Sequence, residues 1–264
     1  MSDKFRKCLP FIALALLSVT QSLAQRFTST GSVTGTVYCN SSDAPARLAI
    51  VRLVALQGGS TLSPGASIQT ETTLNGQFFI ASVPVGIYAV DAELPGFISV
   101  FAGRTNAEVV RLFSNVDQGS FASVPTVSVS SGNNSFVSVT LKRGAVFTGT
   151  VFYNDGEPAR KTTVSALIFS TDNATLTNNT SARVYLSVVT DDRGVFRIAG
   201  LPEGLYTLEV QISEMQGQQL APVYLGGTSN FNAAKKIRAS GTDTMDGLDI
   251  TLPRFTTGDG EVSP

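Results

Sequence analysis

The sequence predicts an all-β protein of two tandem antiparallel β-sandwiches, preceded by an export signal. Three observations predict it. Apolar and polar residues alternate with a period of two along short segments. The same ordered set of motifs occurs twice. Glycine (24) and proline (11) are spread along 264 residues, as many short strands joined by turns require. Hydrophobic residues make up 42% and charged residues 15%, enough apolar content for real cores.

The N-terminus comes first. Lys4, Arg6 and Lys7 form a basic start, Leu9 to Val19 a short apolar stretch, and Ser22-Leu23-Ala24 supplies the small residues a signal peptidase reads. Residues 1–24 are therefore expected to be a signal peptide. The apolar stretch is about half the ~20 residues of a spanning helix. Cys8 precedes that stretch, so lipidation there is not expected. Cleavage removes Asp3 with three basic residues and leaves a mildly acidic mature chain. No later segment reads as a membrane span, and no basic run marks a nucleic-acid partner.

The duplication follows. Thr34-Gly35-Thr36-Val37-Tyr38-Cys39-Asn40 returns as Thr148-Gly149-Thr150-Val151-Phe152-Tyr153-Asn154. Asp43-Ala44-Pro45-Ala46-Arg47 answers Gly156-Glu157-Pro158-Ala159-Arg160. The stretch from Asn75-Gly76 to Ile87-Tyr88 returns from Arg193-Gly194 to Leu205-Tyr206, and Val137–Leu141 matches Leu248–Leu252. The expected units are residues 26–143 and 144–254, with 255–264 a disordered tail.

Within each unit, Tyr88, Val90 and Ala92 should face a core while Ala89, Asp91 and Glu93 meet water; Tyr206, Leu208 and Val210 oppose Thr207, Glu209 and Gln211 in the same way. Phe78 with Ile80, and Phe196 with Ile198, should be inward. No helix is expected after residue 24. Gly76 and Gly194 sit where a tight turn needs positive φ. Pro84 and Pro202 end strands, and the Gly-x-Tyr that follows predicts a tyrosine corner at Tyr88 and Tyr206.

These motifs resemble the carboxypeptidase regulatory-like domain: a Gly-x-Val opening strand, Asn/Asp-x-Gly-x-Phe-x-Ile, then Pro-x-Gly-x-Tyr-x-Leu. The resemblance covers roughly residues 31–97 and 144–212 well and the rest of each unit more loosely. It implies a seven-stranded, prealbumin-like (transthyretin-like) sandwich that serves as an accessory module, with a superfamily link to starch-binding sandwiches.

The chemistry-bearing residues are few. The chain has no His and no Trp. Zinc peptidase and Ser-His-Asp or Cys-His chemistry therefore lack their central residue, and no Ser-Lys or carboxylate pair stands out. No catalytic residue, cofactor or metal is expected, and the ligand-binding residues are unknown. Cys39, the one mature cysteine, reads as a small core residue, or as a reactive thiol or intermolecular bridge. Asp191 and Asp192, facing Leu74 and Asn75 in the first copy, read as an acidic turn or as calcium ligands. Phe79, which aligns with Arg197, reads as a contact between the copies, a ligand platform, or a ring shielded by a loop. Asn173–Thr180, within the loop 171–183, reads as a solvent loop or a binding loop. The expected function is a secreted or envelope binding or scaffolding protein, periplasmic, cell-surface or extracellular, with an envelope protein or an extracellular polysaccharide as partner. Carbohydrate binding is the alternative.

Overall fold

The computed structural model describes residues 29–39, 44–58, 63–114, 124–169, 182–211 and 221–253. The expected signal peptide, the tail and Asn173–Thr180 lie outside the described residues. Among those described, no helix is long and apolar enough to cross a membrane.

The first copy packs two sheets face to face. One joins β1 (Thr30–Cys39), β5 (Gln77–Pro84) and β8 (Asn134–Leu141), with the two-residue β2 (Ala44–Pro45) at the end of β1. The other runs β4 (Ser67–Glu71), β3 (Ile50–Gly58), β6 (Gly86–Glu93), β7 (Thr126–Val129). Val33, Val37, Phe78, Ile80 and Val139 from the first sheet meet Leu53, Tyr88, Val90 and Val127 from the second in one core.

The second copy repeats this around its own core of Phe147, Phe196, Ile198 and Ile250 against Tyr206, Leu208 and Val210. Its sheets are β12 (Val195–Leu201) with β9 (Ala145–Tyr153), closed by β16 (Thr244–Met245) and β17 (Ile250–Leu252), and β11 (Ala182–Val189), β10 (Thr163–Phe169), β13 (Gly204–Gln211), closed by β14 (Val223–Tyr224) and β15 (Ile237–Ala239). The all-β class and the inward residues stand as the alternation predicts.

The duplication extends to individual hydrogen bonds. Val37 N donates to Gly76 O at 2.8 Å and Val151 N to Gly194 O at 2.8 Å. Thr72 Oγ1 donates to Ala46 O, and Thr190 Oγ1 to Ala159 O, both at 2.6 Å. Gly76 and Gly194 have φ of +71° and +74°, and a Cβ there would sit 2.5 and 2.3 Å from the Val37 and Val151 carbonyls. Even the non-glycine left-handed residues match, Leu48 at φ 55° and Lys161 at 52°. Both tyrosine corners form: the Tyr88 hydroxyl donates to Pro84 O at 2.7 Å and that of Tyr206 to Pro202 O at 2.9 Å.

Five expectations are corrected. The pairing is not wholly antiparallel: the closing strand of each copy runs parallel to its opening strand, β8 beside β1 and β16 and β17 beside β9. A helix is present, α1 (Asn106–Ser114). Thr105 and Glu108 build its capping box, with Thr105 N donating to Glu108 Oε2 at 2.7 Å and Glu108 N to Thr105 Oγ1 at 3.3 Å. These bonds hold the Glu108 carboxyl below its ordinary pKa. The outward faces of β6 and β13 are not wet: Ala89 and Asp91 are buried, as is Thr207, whose hydroxyl donates to Lys235 O. In the first copy the cover is a second apolar layer in which Phe101 and Val109 pack on Val54 and Ala89. Cys39 is half-buried against the core rather than inside it. Finally, Asp191 stands opposite Thr73, not Leu74. Each accepts from two backbone amides of its turn, Asp191 Oδ1 from Arg193 and Val195, Thr73 Oγ1 from Asn75 and Gln77.

Candidate functional site

A cleft of about 720 Å³ lies between the two copies. One wall is the outward face of β3 and β6, carrying Ile50, Arg52 and Glu93, with the segment 94–105 that leaves β6. The other is the outward face of β12, carrying Arg197 and Ala199, with Leu186 and Val188 of the neighbouring β11, which also pack against the second copy's core.

Asp91 fixes the first wall. It lies on the outward face of β6, beneath segment 94–105, where its Oδ2 accepts from Ser99 Oγ at 2.5 Å and from Phe101 N at 3.1 Å. Burial raises its pKa above the ordinary carboxylate value, and the two hydrogen bonds partly offset that rise. Arg52 lies over the Phe101 ring, 5.3 Å from its centroid, and donates to Phe101 O at 3.4 Å. It also meets Glu93 Oε1 at 3.3 Å.

The walls are joined by hydrogen bonds from side chains of the second copy to backbone carbonyls of the first. The Tyr185 hydroxyl donates to Ser99 O at 2.8 Å, and Arg183 Nη1 to Ala102 O at 3.0 Å. Burial pushes the Tyr185 phenol up. Burial, and then repulsion from Arg104, pulls the Arg183 guanidinium down. Gly200 has φ +91°, and a Cβ there would stand 2.4 Å from the Phe97 carbonyl of the first copy. At the junction Ile98 N donates to Lys142 O at 2.8 Å, and Arg143 lies over the Phe97 ring at 5.1 Å.

The residues singled out in the sequence fall elsewhere. Phe79 is 59% exposed and does not line the cleft. It sits with Phe136, 69% exposed, on either side of Thr34 in the register of the outer sheet. Its counterpart Arg197 does line the cleft. Asp191 is used within its own turn, and no group of three or more potential metal ligands occurs among the described residues. The cleft itself went unread because its walls are far apart in sequence. The capping box Thr105-x-x-Glu108 was the local signal that segment 94–114 is built rather than loose.

No family model matches the chain, and no curated protein matches it. Solved structures do align with it. A streptococcal ancillary pilin aligns at 14% identity over 83% of this chain and 62% of that one, with a TM-score of 0.34. GBS52, the minor pilin of Streptococcus agalactiae, aligns at 14% identity over 86% and 98%, TM-score 0.31. The shaft pilin SpaA of Lactobacillus rhamnosus GG aligns at 12% identity over 85% and 97%, TM-score 0.31. The chain thus spans 62% of the length of the ancillary pilin. At these TM-scores the alignments do not bear on what the chain does.

Proposed function

We propose that this chain is an exported, non-catalytic binding or scaffolding protein of the bacterial envelope or exterior, made of two carboxypeptidase regulatory-like sandwiches spanning residues 26–143 and 144–254. One observation carries the reading. The two copies are locked together around a preformed cleft, whereas their cores and turns are occupied by structural hydrogen bonds. Pockets of this size, mostly apolar with a few converging polar groups, are the usual form of a binding site. The cleft also holds neither His nor a carboxylate pair with which to run acid–base chemistry.

The test fills the cleft. Leu186→Trp, at a half-buried position of the cleft lining on β11, should abolish retention of an envelope partner on the immobilised chain while the far-UV spectrum is unchanged. Retention equal to that of the unaltered chain would show that the cleft is not the binding surface.

A second reading, carbohydrate binding, is favoured by a different surface. Phe79 and Phe136 flank Thr34 and stand beside Asn134, whose side chain exchanges hydrogen bonds with Ser32 and Thr34. Apolar rings next to fixed polar groups suit a sugar face. Starch, cellulose, chitin and peptidoglycan co-sedimentation tests it; no retention on any of them removes it.

A further inference from the structure

The charge in the cleft is uneven. Three arginines, Arg52, Arg104 and Arg197, line it with one acid, Glu93, in a chain whose formal net charge is −1. Glu93 is already engaged by Arg52. Asp91, beneath segment 94–105, is held by Ser99 and Phe101. Arg183 of β11, near enough to Arg104 to be repelled by it, adds to the positive potential between the walls. The rest of the lining is largely apolar, with Ile50, Phe97, Leu186 and Val188.

We propose that this cleft binds a carboxylate carried on an apolar body, the guanidinium groups taking the carboxylate and the apolar walls the remainder. Its lining cations are all arginine, whose planar fork matches the two oxygens of a carboxylate. Arg52 is pre-positioned for that task. Phe101 supports its guanidinium from one side, and its buried Nε has no acceptor among the described residues. Arg197 is exposed on the second wall, and at the matching place the first copy carries Phe79, away from the cleft. A neutral sugar carries no charge complementary to these arginines, which sets this inference apart from the carbohydrate reading.

Two sources offer such a ligand: the C-terminus of a peptide ending in an apolar residue, or a free hydrophobic acid. The inference rests on the cleft being a binding site. Three probes test it by amide chemical shifts: acetyl-Ala-Ala-Phe with a free carboxylate, the same peptide as its C-terminal amide, and octanoate. The free-acid peptide is expected to shift resonances of residues 94–105 and 185–200, the amide to bind about tenfold more weakly, and added salt to weaken the carboxylate alone. Octanoate binding as tightly as the peptide identifies a free acid; peptide binding alone identifies a chain terminus. Arg197→Gln and Arg104→Gln should each weaken carboxylate binding about fivefold with the remaining spectrum retained. Equal binding of acid and amide, or no shift with either carboxylate at millimolar concentration, overturns the inference. If the carboxylates fail while Leu186→Trp still abolishes partner retention, only the anion assignment falls. If both fail, the cleft is not a binding site.

Discussion

The two copies share one blueprint and use it differently. Position for position they keep one core phenylalanine (Phe78 and Phe196), the tyrosine corners and the turn glycines. They part on the outer faces and at the bulge before the corner. In the first copy the bulge residue is Ser82, exposed and left-handed at φ 55°. In the second it is Gly200 at φ +91°, buried beneath the Phe97 carbonyl of the first copy. The same backbone strain is thus an idle feature in one unit and an assembly contact in the other. Likewise the matching outward side chains are Phe79 and Arg197, one on open surface and one in the cleft. Conservation within the repeat marks folding, and divergence within the repeat marks where the copies meet.

The largest effect should come from the shared part. Phe78→Ala and Phe196→Ala each remove a buried ring from a sandwich core and should cost about 3–5 kcal/mol. Urea unfolding monitored by amide resonances of each copy measures this. Comparable losses keep the copies equivalent; a loss below about 1 kcal/mol in one would show that its core relaxes around the gap.

The divergent bulge sharpens the contrast. Gly200→Ala places a methyl against the Phe97 carbonyl in a conformation that alanine avoids, and should cost about 2 kcal/mol or more. Ser82→Gly, the mirror exchange, should be neutral or gain up to about 1 kcal/mol by relieving the left-handed strain. Equal effects of the two exchanges on the urea midpoint would dissolve the distinction.

The residue matching Asp91 in the second copy is Glu209, half-buried where Asp91 is buried, and Thr207, which matches Ala89, is bonded to Lys235 O. Asp91→Ala strands the Ser99 hydroxyl and the Phe101 amide and should cost about 1–3 kcal/mol. Asp91→Asn retains an acceptor and should cost less. The pH dependence follows from linkage. Folding raises this carboxyl's pKa, so the folded state holds the proton more tightly than the unfolded one. The group's contribution is therefore most favourable below the ordinary carboxylate pKa and is lost as pH rises through the raised one. Melting temperatures from about pH 3 to about pH 8 should show Asp91→Asn gaining on the unaltered chain as pH rises, and a constant gap would refute the assignment.

What the sequence disclosed is what local physics encodes. Period two placed Phe78, Val90, Phe196 and Leu208 inward, and Pro84 and Pro202 with the following Gly-x-Tyr gave the corners, because those bonds close within four residues. Alternation also misled: it sends Asp91 and Thr207 to water, since no local pattern records that residues 97–114 and 223–239 fold back over those faces. The parallel closing strands and the bond from Tyr185 to Ser99 join residues 86 or more positions apart, beyond the reach of motif spacing. The cleft is made of such contacts, so it was invisible where the cores were plain.

The smallest effect tests the remaining asymmetry. Phe79→Ser with Phe136→Ser removes the two open rings of the first copy, and surface changes of this kind stay within about 0.5 kcal/mol. Because folding is spared, the double variant reads out the face alone. If polysaccharide retention is real and drops with it, the outer sheet is the sugar surface. If stability falls by about 2 kcal/mol instead, those rings are covered in the folded protein, and the contrast between an open first copy and a cleft-facing second copy fails.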